Sequence, residues 1–241
     1  MAPFAPAIRF EKSAYYFAGF LVLAIIGFWP SYFSGVFQGH SDRAVYFHLH
    51  TVMVSLWLVL LIVQPLLISR RRLQLHRLLG RSSYVVFPLL LLSVLLLAHS
   101  RIPAHIVMVD NAPNVGQHLF IPFKDLLILC VAFFIAIRWR HVVAIHARGM
   151  VATGLVFIEP ALVRLFRNML GATDHFFPFS LLTLYLILVA LMVAERRQQR
   201  GRWVFPLILG LYVIVHTIII FHVQIGPWNR FATWFAALPL T

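Results

Sequence analysis

The sequence predicts an all-α integral membrane protein, a polytopic bundle of seven transmembrane helices, and three observations predict it. Hydrophobic residues make up 61% of the 241-residue chain and charged residues only 11%, whereas ordinary soluble domains carry about 25% charged residues. The mean hydropathy is +0.89. Seven apolar stretches approach the roughly 20 residues that a helix needs to cross a bilayer. A soluble fold of this size could not hide so much apolar surface, because polar surface must cover its outside.

The seven predicted spans are runs of mainly apolar residues separated by charged or turn-forming segments. They cover residues 14–34, 47–68, 83–98, 118–137, 148–166, 177–194 and 203–223. The spans between residues 47 and 168 are the predicted core helices, and the first span and the last two flank them. Because no low-complexity linker or convincing internal repeat interrupts the chain, we expect residues 1–241 to form a single transmembrane bundle.

Lysine and arginine are distributed unevenly between alternate loops. One set of loops receives fourteen of them and the other set six, namely Arg43, Arg101, Lys124, Arg164, Arg167 and Arg230. Because cytoplasmic loops of membrane proteins carry the excess of these residues, we predict a cytoplasmic N-terminus and an external C-terminus.

The net charge of +13 would indicate a nucleic-acid partner in a soluble protein. Here 18 of the 20 basic residues are arginines that punctuate the apolar runs and do not form one patch. Membrane topology therefore explains them, and we expect no nucleic-acid partner. The lone Cys130 excludes an intrachain disulfide and a covalent C-x-x-C-H haem attachment.

Polar residues inside the spans are the candidate functional residues, because titratable groups in a membrane usually face the bundle interior. On the second span, His50, Trp57 and Gln64 recur every seven residues and therefore share one stripe of the helix. The stripe predicts which side of this helix faces its neighbours.

The later spans supply an alternative polar site. His146 and Arg164 are eighteen residues apart on the fifth span, five helical turns, so we expect them to share a face. Glu159 and Arg164 lie in the outer half of this span and are predicted to pair. The seventh span carries His216 near mid-membrane and His222 near its outer end.

Four histidines form two candidate pairs, one near each membrane surface. His50 and His118 lie just inside the outer ends of spans two and four. His76 and His146 lie at the inner entries to spans three and five. Two imidazoles on facing helices are what a six-coordinate haem iron needs. The arginines near the inner pair suit the anionic propionates of a porphyrin: Arg72, Arg77, Arg81 and Arg148. This hypothesis requires the third helix to begin near Leu73.

Each histidine also has an ordinary structural interpretation, as a hydrogen-bonded interior or interfacial residue, which is the commoner role for any one of twelve. Four lie in or beside predicted outer loops, where water can satisfy their hydrogen-bonding groups: His40, His99, His105 and His175. The predicted pair of Glu159 and Arg164 is likewise more often a packing pair than a proton relay.

The hexapeptide LHRLLG at residues 75–80 resembles the leucine-histidine-x-x-x-glycine entry to the third core helix of the cytochrome b561 family. That family consists of di-haem membrane proteins with histidine pairs on core helices two with four and three with five. The resemblance implies that His50 and His118 ligate one haem b, and that His76 and His146 ligate the other.

The chain is also similar to an uncharacterised group of bacterial multi-pass membrane proteins that share a domain of unknown function. Its members show a second-span histidine, then LHRxLGR, then HxRxM and a downstream arginine. Here these are His50, residues 75–81, residues 146–150 and Arg164. This resemblance covers residues 48–167 and implies a bacterial inner (plasma) membrane location, but no established activity.

Three functions from different classes follow as hypotheses. The first is a b-type haem protein that transfers electrons within or across the membrane, a transmembrane oxidoreductase with a quinol or small reductant as partner. The second is a zinc-dependent membrane hydrolase, with ligands drawn from His50, His118, His216, His222 and Glu159. The third is a transporter or assembly factor without redox activity, with a polar path along Glu159, Arg164, His216 and Gln224.

Overall fold

The structure is a computed structural model that describes residues 10–39, 44–102, 112–171 and 176–241. These residues form helices and short connections, which confirms the all-α class. Six helices are long and apolar enough to cross a membrane. Large apolar side chains such as Leu78, Val85 and Phe134 are exposed on the outside of the bundle, where a lipid bilayer covers them. The chain is therefore a multi-pass helical membrane protein.

The helices are numbered along the chain and have these bounds: α1 Ser13–Phe37, α2 Val45–Ser69, α3 Leu73–Ser100, α4 Ala112–Arg138, α5 Val143–Leu155, α6 Ile158–Leu170, α7 Phe176–Ala194, α8 Val204–Ile220 and α9 Gly226–Ala236. Successive spans run in alternate directions. The end of the bundle that carries Arg70, Arg138 and Arg196 is called the arginine-rich end, and the other is called the opposite end.

The third helix begins at Leu73, as the four-histidine hypothesis requires, and its 28 residues make a full crossing. The apolar run from residue 83 to 98 predicted only the later part of this helix. The earlier turns are helical although they are polar, because Arg77 and Arg81 point outwards and are exposed.

The fifth predicted span is two helices, because the chain breaks between Leu155 and Ile158. Pro160 explains the break. It has no N–H to donate to the carbonyl of Val156 four residues earlier, and its ring clashes with that carbonyl. Val156 and Phe157 keep right-handed helical dihedral angles, so α5 and α6 together form one candidate span, Val143–Leu170.

The seventh predicted span corresponds to α8, which has 17 residues. At 1.5 Å per residue it extends about 26 Å, slightly less than the roughly 30 Å of a bilayer's hydrocarbon core. A seventh crossing by α8 therefore stays a prediction, together with the orientation of the termini.

The polar stripe on α2 faces the bundle interior, as predicted. His50 lies 3.3 Å from the hydroxyl of Ser93 on α3, and Trp57 donates to Thr153 of α5 at 3.2 Å. Gln64 contacts the first turns of α3. Trp57 is fully buried and packs against two stacked rings, Phe87 and Phe133. This aromatic group is the centre of the core between α2, α3 and α4.

Candidate functional site

Six polar side chains meet in the interior and are called the Lys124 cluster: Lys124 and Asp125 of α4, Glu159 of α6, Tyr185 of α7, and Tyr212 and His216 of α8. Lys124 Nζ donates to Asp125 Oδ1 at 2.7 Å and to Glu159 Oε2 at 2.8 Å. His216 Nε2 lies 3.1 Å from the same Glu159 oxygen. His216 Nδ1 lies 2.9 Å from the Tyr185 hydroxyl. A chain of hydrogen bonds therefore joins Tyr185, His216, Glu159 and Lys124.

The cluster lies at mid-membrane depth. Lys124 is about halfway along the 27 residues of α4, and Tyr185 is at the midpoint of the 19 residues of α7. The middle of a membrane-spanning helix is also the middle of the hydrocarbon layer. Ionisable residues at this depth are expensive and are usually functional.

The cluster is largely buried, and its formal charges do not cancel. Lys124 and Glu159 are each 3% exposed and His216 is 1% exposed. One lysine and two carboxylates, in their ordinary ionised forms, carry one net negative charge. An unbalanced charge is unfavourable in a medium of low dielectric constant.

Tyr212 lies against the cluster, but its hydroxyl makes no hydrogen bond to any described residue. Its ring centroid is 5.4 Å from that of His216 and 5.9 Å from Lys124 Nζ. The side chain is fully buried, so the hydroxyl has lost water without gaining a protein partner.

We predict that Tyr212→Phe raises the free energy of unfolding by about 1 kcal/mol, because a buried polar group without a partner destabilises by about 1–3 kcal/mol. Thermal unfolding of the purified protein in detergent measures the change. Tyr185→Phe is the matched control and should destabilise, since its hydroxyl is bonded to His216. A loss of stability in Tyr212→Phe would mean that an internal water satisfies the hydroxyl.

A pocket of about 300 Å³ opens at the opposite end of the bundle, between α4, α8 and α9. Its polar lining comes from five side chains, His118, His222, Gln117, Gln224 and Asn229. Phe120 and Ile219 also line it, and they lie one helical turn from Lys124 and His216 respectively. Since one turn rises about 5 Å, the pocket brings the opposite surface close to the cluster.

The bundle is filled with apolar side chains on the other side of the cluster, towards the arginine-rich end. Ile128 of α4, Leu188 of α7 and Ile208 of α8 each lie about one turn beyond a cluster residue, and all three are fully buried. The pocket lining therefore ends about one helical turn from the cluster on one side, and a packed apolar layer lies on the other side.

Two predictions about these residues are wrong. The loop count placed Lys124 with the loop cations, but it lies inside α4, where carboxylates from two helices neutralise it. Glu159 pairs with Lys124 and His216 and not with Arg164. Arg164 instead donates to the Pro160 carbonyl at 3.1 Å and lies over the ring of Phe28 at 4.2 Å. Five residues on a helix turn it by about 140°, so Glu159 and Arg164 point to different neighbours.

Arg148, expected near a haem propionate, has a protein partner instead. It forms a bidentate ion pair with Glu195. Arg148 Nε donates to Glu195 Oε2, and Arg148 Nη2 donates to Glu195 Oε1 at 2.7 Å. Its Nη1 donates to the Ala144 carbonyl at 2.5 Å, and its guanidinium lies 5.1 Å from the centroid of the Phe10 ring. Both side chains are 2% exposed, so this pair joins α5 to the connection after α7.

Gln64 bonds to His76 from α2. When its amide oxygen faces the Gly80 N–H, Gln64 accepts a hydrogen bond from that group at 2.9 Å. Its amide nitrogen then donates to the His76 carbonyl at 3.1 Å and to His76 Nδ1. An Nδ1 atom that accepts a hydrogen bond leaves the proton on Nε2. In this tautomer, His76 has no free nitrogen lone pair for a metal.

His146 has the arrangement of a typical ligating histidine. Its Nδ1 lies 2.9 Å from the Ala136 carbonyl, which fixes the proton on Nδ1 and leaves Nε2 free to bind. The close approach of α5 to α4 depends on Gly149, where a Cβ atom would lie 2.7 Å from the Ala136 nitrogen.

The two histidines of the predicted outer pair have different surroundings. The Ser93 hydroxyl donates its hydrogen to the Leu90 carbonyl at 2.7 Å, so it accepts from His50 Nδ1 and leaves His50 Nε2 free. His118 is exposed and lines the pocket together with His222. The remaining predicted cofactor-binding residues are all exposed at the arginine-rich end: Arg72, Arg77 and Arg81.

These surroundings decide how well a haem fits. His50 and His146 each use Nδ1 in a hydrogen bond and have no described partner at Nε2, whereas His76 would have to give up its bond from Gln64. Among the five zinc-ligand candidates, His216 contacts Glu159, and His118 shares the pocket with His222. In the part of the chain that the structure describes, no group of three or more His, Cys, Asp or Glu side chains could hold a metal ion.

Five residues of the interior ionic groups were not predicted as functional candidates: Lys124, Asp125, Tyr185, Tyr212 and Glu195. A signal was present for the first two, because adjacent opposite charges inside an apolar span are unusual and indicate an interior pair. Glu195 is one of only seven acidic residues and precedes a run of arginines. The two tyrosines have no sequence signal that separates them from the other five.

The helices and the Lys124 cluster define the class of protein: a multi-pass helical membrane protein with a buried ionic cluster at mid-depth. No protein-family model, no curated protein and no solved structure matches this chain.

Proposed function

We propose that the protein is a proton-coupled membrane transporter, in which Glu159 and His216 bind the coupling proton. The observation that supports this proposal is the hydrogen-bonded chain from Tyr185 to Lys124, buried at mid-depth and one helical turn below a polar pocket. A solute would bind in the pocket, and its arrival would be linked to the protonation of the cluster.

Glu159 is the centre of this mechanism because its Oε2 atom faces two donors, Lys124 and His216. A proton that reaches His216 turns a neutral contact into an ion pair with Glu159. A proton that passes on to Glu159 removes the negative charge that attracts Lys124. The Asp125 carboxylate, on the same helix, is then the remaining ionic partner of Lys124 in the cluster. Protonation thereby weakens the connection between α4 and α6.

The apolar layer below the cluster favours coupled transport over a channel. A continuous proton channel needs polar groups or water along its whole length, and Ile128, Leu188 and Ile208 are packed where such a path would run. Access from the arginine-rich end therefore requires a rearrangement of helices. Weakening the α4–α6 connection provides a physical reason for that rearrangement to follow protonation.

Proton flux in proteoliposomes tests the proposal. Purified protein is reconstituted with a pH-sensitive dye inside the vesicles and challenged with amino acids, carboxylates, sugars and amines under an imposed proton gradient. We expect one of these classes to produce a solute-dependent proton flux. If no class does so, or if flux continues when Glu159 is replaced, the proposal is wrong.

We also propose a second candidate function, b-type haem electron transfer, on the basis of the two resemblances and one observation. The observation is that His146 Nδ1 lies 2.9 Å from the Ala136 carbonyl, which leaves Nε2 without a hydrogen-bond partner among the described residues. His76 and His146 would hold one haem, and His50 and His118 the other. The group would supply one-electron chemistry, with a quinol or small reductant as donor. Exposed Arg72, Arg77 and Arg81 lie at the end where propionates would face.

An absorbance spectrum above 400 nm tests the haem candidate. If it is right, protein from haem-replete expression shows a Soret band that His146→Ala removes and that Gln64→Leu preserves or strengthens, because that change releases His76 Nδ1. Protein without a Soret band would exclude b-type haem. The proton-transport proposal does not depend on the outcome.

We propose that the chain lies in a bacterial inner membrane with seven crossings, a cytoplasmic N-terminus and an external C-terminus. The unequal arginine distribution supports this orientation, and removal of Lys124 from the loop count strengthens it. We predict that a reporter enzyme active only outside the cytoplasm is active when fused after Thr241 and inactive when fused after Gly201. Equal activity of the two fusions would mean that α8 does not cross the membrane.

A further inference from the structure

We infer that the corner between α2 and α3 binds the phosphate headgroup of an anionic phospholipid. The site, called the arginine corner, consists of Arg70, Arg71, Arg72, Arg77 and Arg81. The inference is independent of the proposed transport function, since the corner lies at the arginine-rich end, away from the Lys124 cluster.

The arginine corner has a large positive charge that the described side chains do not balance. All five arginines are exposed. The carboxylates in the described ion pairs belong to Asp125, Glu159 and Glu195, which are bonded to Lys124, His216 and Arg148. Five guanidinium groups in twelve residues repel one another, and an anion from outside the chain relieves this repulsion.

The backbone holds the corner in a defined shape. Arg71 has a φ angle of +57°, in the left-handed region where helices usually end on glycine. Its N–H donates to the Ile68 carbonyl at 2.9 Å, and that of Arg72 donates to Leu67 at 2.8 Å. An arginine in this conformation is less stable than glycine would be.

Gln64 fixes the other side of the corner. Its amide bridges the His76 carbonyl and the Gly80 N–H, which are the two partners of one helical hydrogen bond. This bridge attaches the first turns of α3 to α2. Because Arg77 and Arg81 are four residues apart, they project from one face of those turns. The arginines are therefore presented by a rigid corner and not by a flexible loop.

Apolar side chains beside the arginines match the rest of a lipid. Leu78 is 62% exposed and Val85 is 63% exposed, and both follow Arg77 along α3 towards the membrane interior. Arginine at a helix end with exposed leucine and valine below it reproduces the order of a phospholipid, with a charged headgroup above acyl chains. A free phosphate ion would not use these apolar neighbours.

The chemistry favours a phosphate diester. Guanidinium groups bind phosphate oxygens through paired, charge-assisted hydrogen bonds, which are stronger than neutral ones. The loss of one such contact should weaken binding on the order of tenfold.

Native mass spectrometry and thermal unfolding of the full-length protein in detergent test the inference. The probes are phosphatidylglycerol, phosphatidylcholine with the same acyl chains, and inorganic phosphate. We expect phosphatidylglycerol to remain bound and to raise the unfolding temperature, and the other two to have little effect. Equal binding of both lipids would overturn the inference, and stabilisation by inorganic phosphate alone would assign the corner to a free anion.

Two double variants separate a site from a general charge effect. Arg77→Gln with Arg81→Gln should weaken phosphatidylglycerol binding at least tenfold, and Arg77→Lys with Arg81→Lys should weaken it partly. The matched control is Arg196→Gln with Arg197→Gln, which removes the same charge from exposed positions at the same end and should leave binding unchanged. If the control weakens binding as much as the first variant does, there is no specific site.

Discussion

Replacing Glu159 with glutamine should abolish proton-coupled transport while leaving the fold intact. The amide keeps the size of the side chain and can still accept a hydrogen bond from Lys124 or His216, but it cannot ionise. The proton that His216 receives would then have no carboxylate to pair with or pass to. We expect the solute-dependent proton flux in proteoliposomes to fall at least a hundredfold, because the transferable site itself is removed.

Three further variants define this effect. Glu159→Asp retains a carboxylate and should keep part of the flux. Tyr185→Phe removes one hydrogen bond to His216 and should reduce the flux without abolishing it. Arg164→Gln is the matched control, since it neutralises a charged side chain on the same helix that lies outside the cluster. Loss of flux in Arg164→Gln equal to that in Glu159→Gln would contradict the role given to Glu159.

Separating Arg148 from Glu195 should produce the largest loss of stability in the molecule. Both side chains are 2% exposed and bond to each other through two hydrogen bonds. Arg148→Met leaves a buried carboxylate without a partner, and Glu195→Leu leaves a buried guanidinium. Breaking a buried ion pair in this way destabilises a protein by about 3–5 kcal/mol. Thermal or chemical unfolding in detergent measures the effect.

The double variant Arg148→Met with Glu195→Leu tests the cause. If the single variants are destabilised by an unpaired buried charge, removing both charges should restore most of the stability, because an apolar pair of similar volume is often as stable as a buried ion pair. The double-variant cycle should give a coupling energy of a few kcal/mol. Additive losses would show that each side chain acts through its packing and not through the pair.

The sequence predicted the parts of the site that depend on a single helix. The seven-residue spacing of His50, Trp57 and Gln64 indicated one interior stripe, and the structure confirms it. Glu159 and His216 were both recognised as interior polar residues. Their contact was not predicted, because it depends on how α6 and α8 are rotated towards each other.

The interruption of the fifth span between α5 and α6 was not predicted either. The shared face expected for His146 and Arg164 stays a prediction. His146 bonds to α4 and Arg164 lies against α1. The signal was in the sequence, since a proline directly after Glu159 removes a backbone donor inside the span.

By itself, the sequence determined that the chain is a multi-pass helical membrane protein, because apolar runs about 20 residues long act locally and need no partner to identify them. It also determined which faces of single helices are polar. Only the tertiary structure decided that Lys124 and Asp125 join Glu159 and His216, and that Arg148 pairs with Glu195. Ion pairs between distant segments depend on the packing and rotation of whole helices, and spacing along one helix carries no information about either.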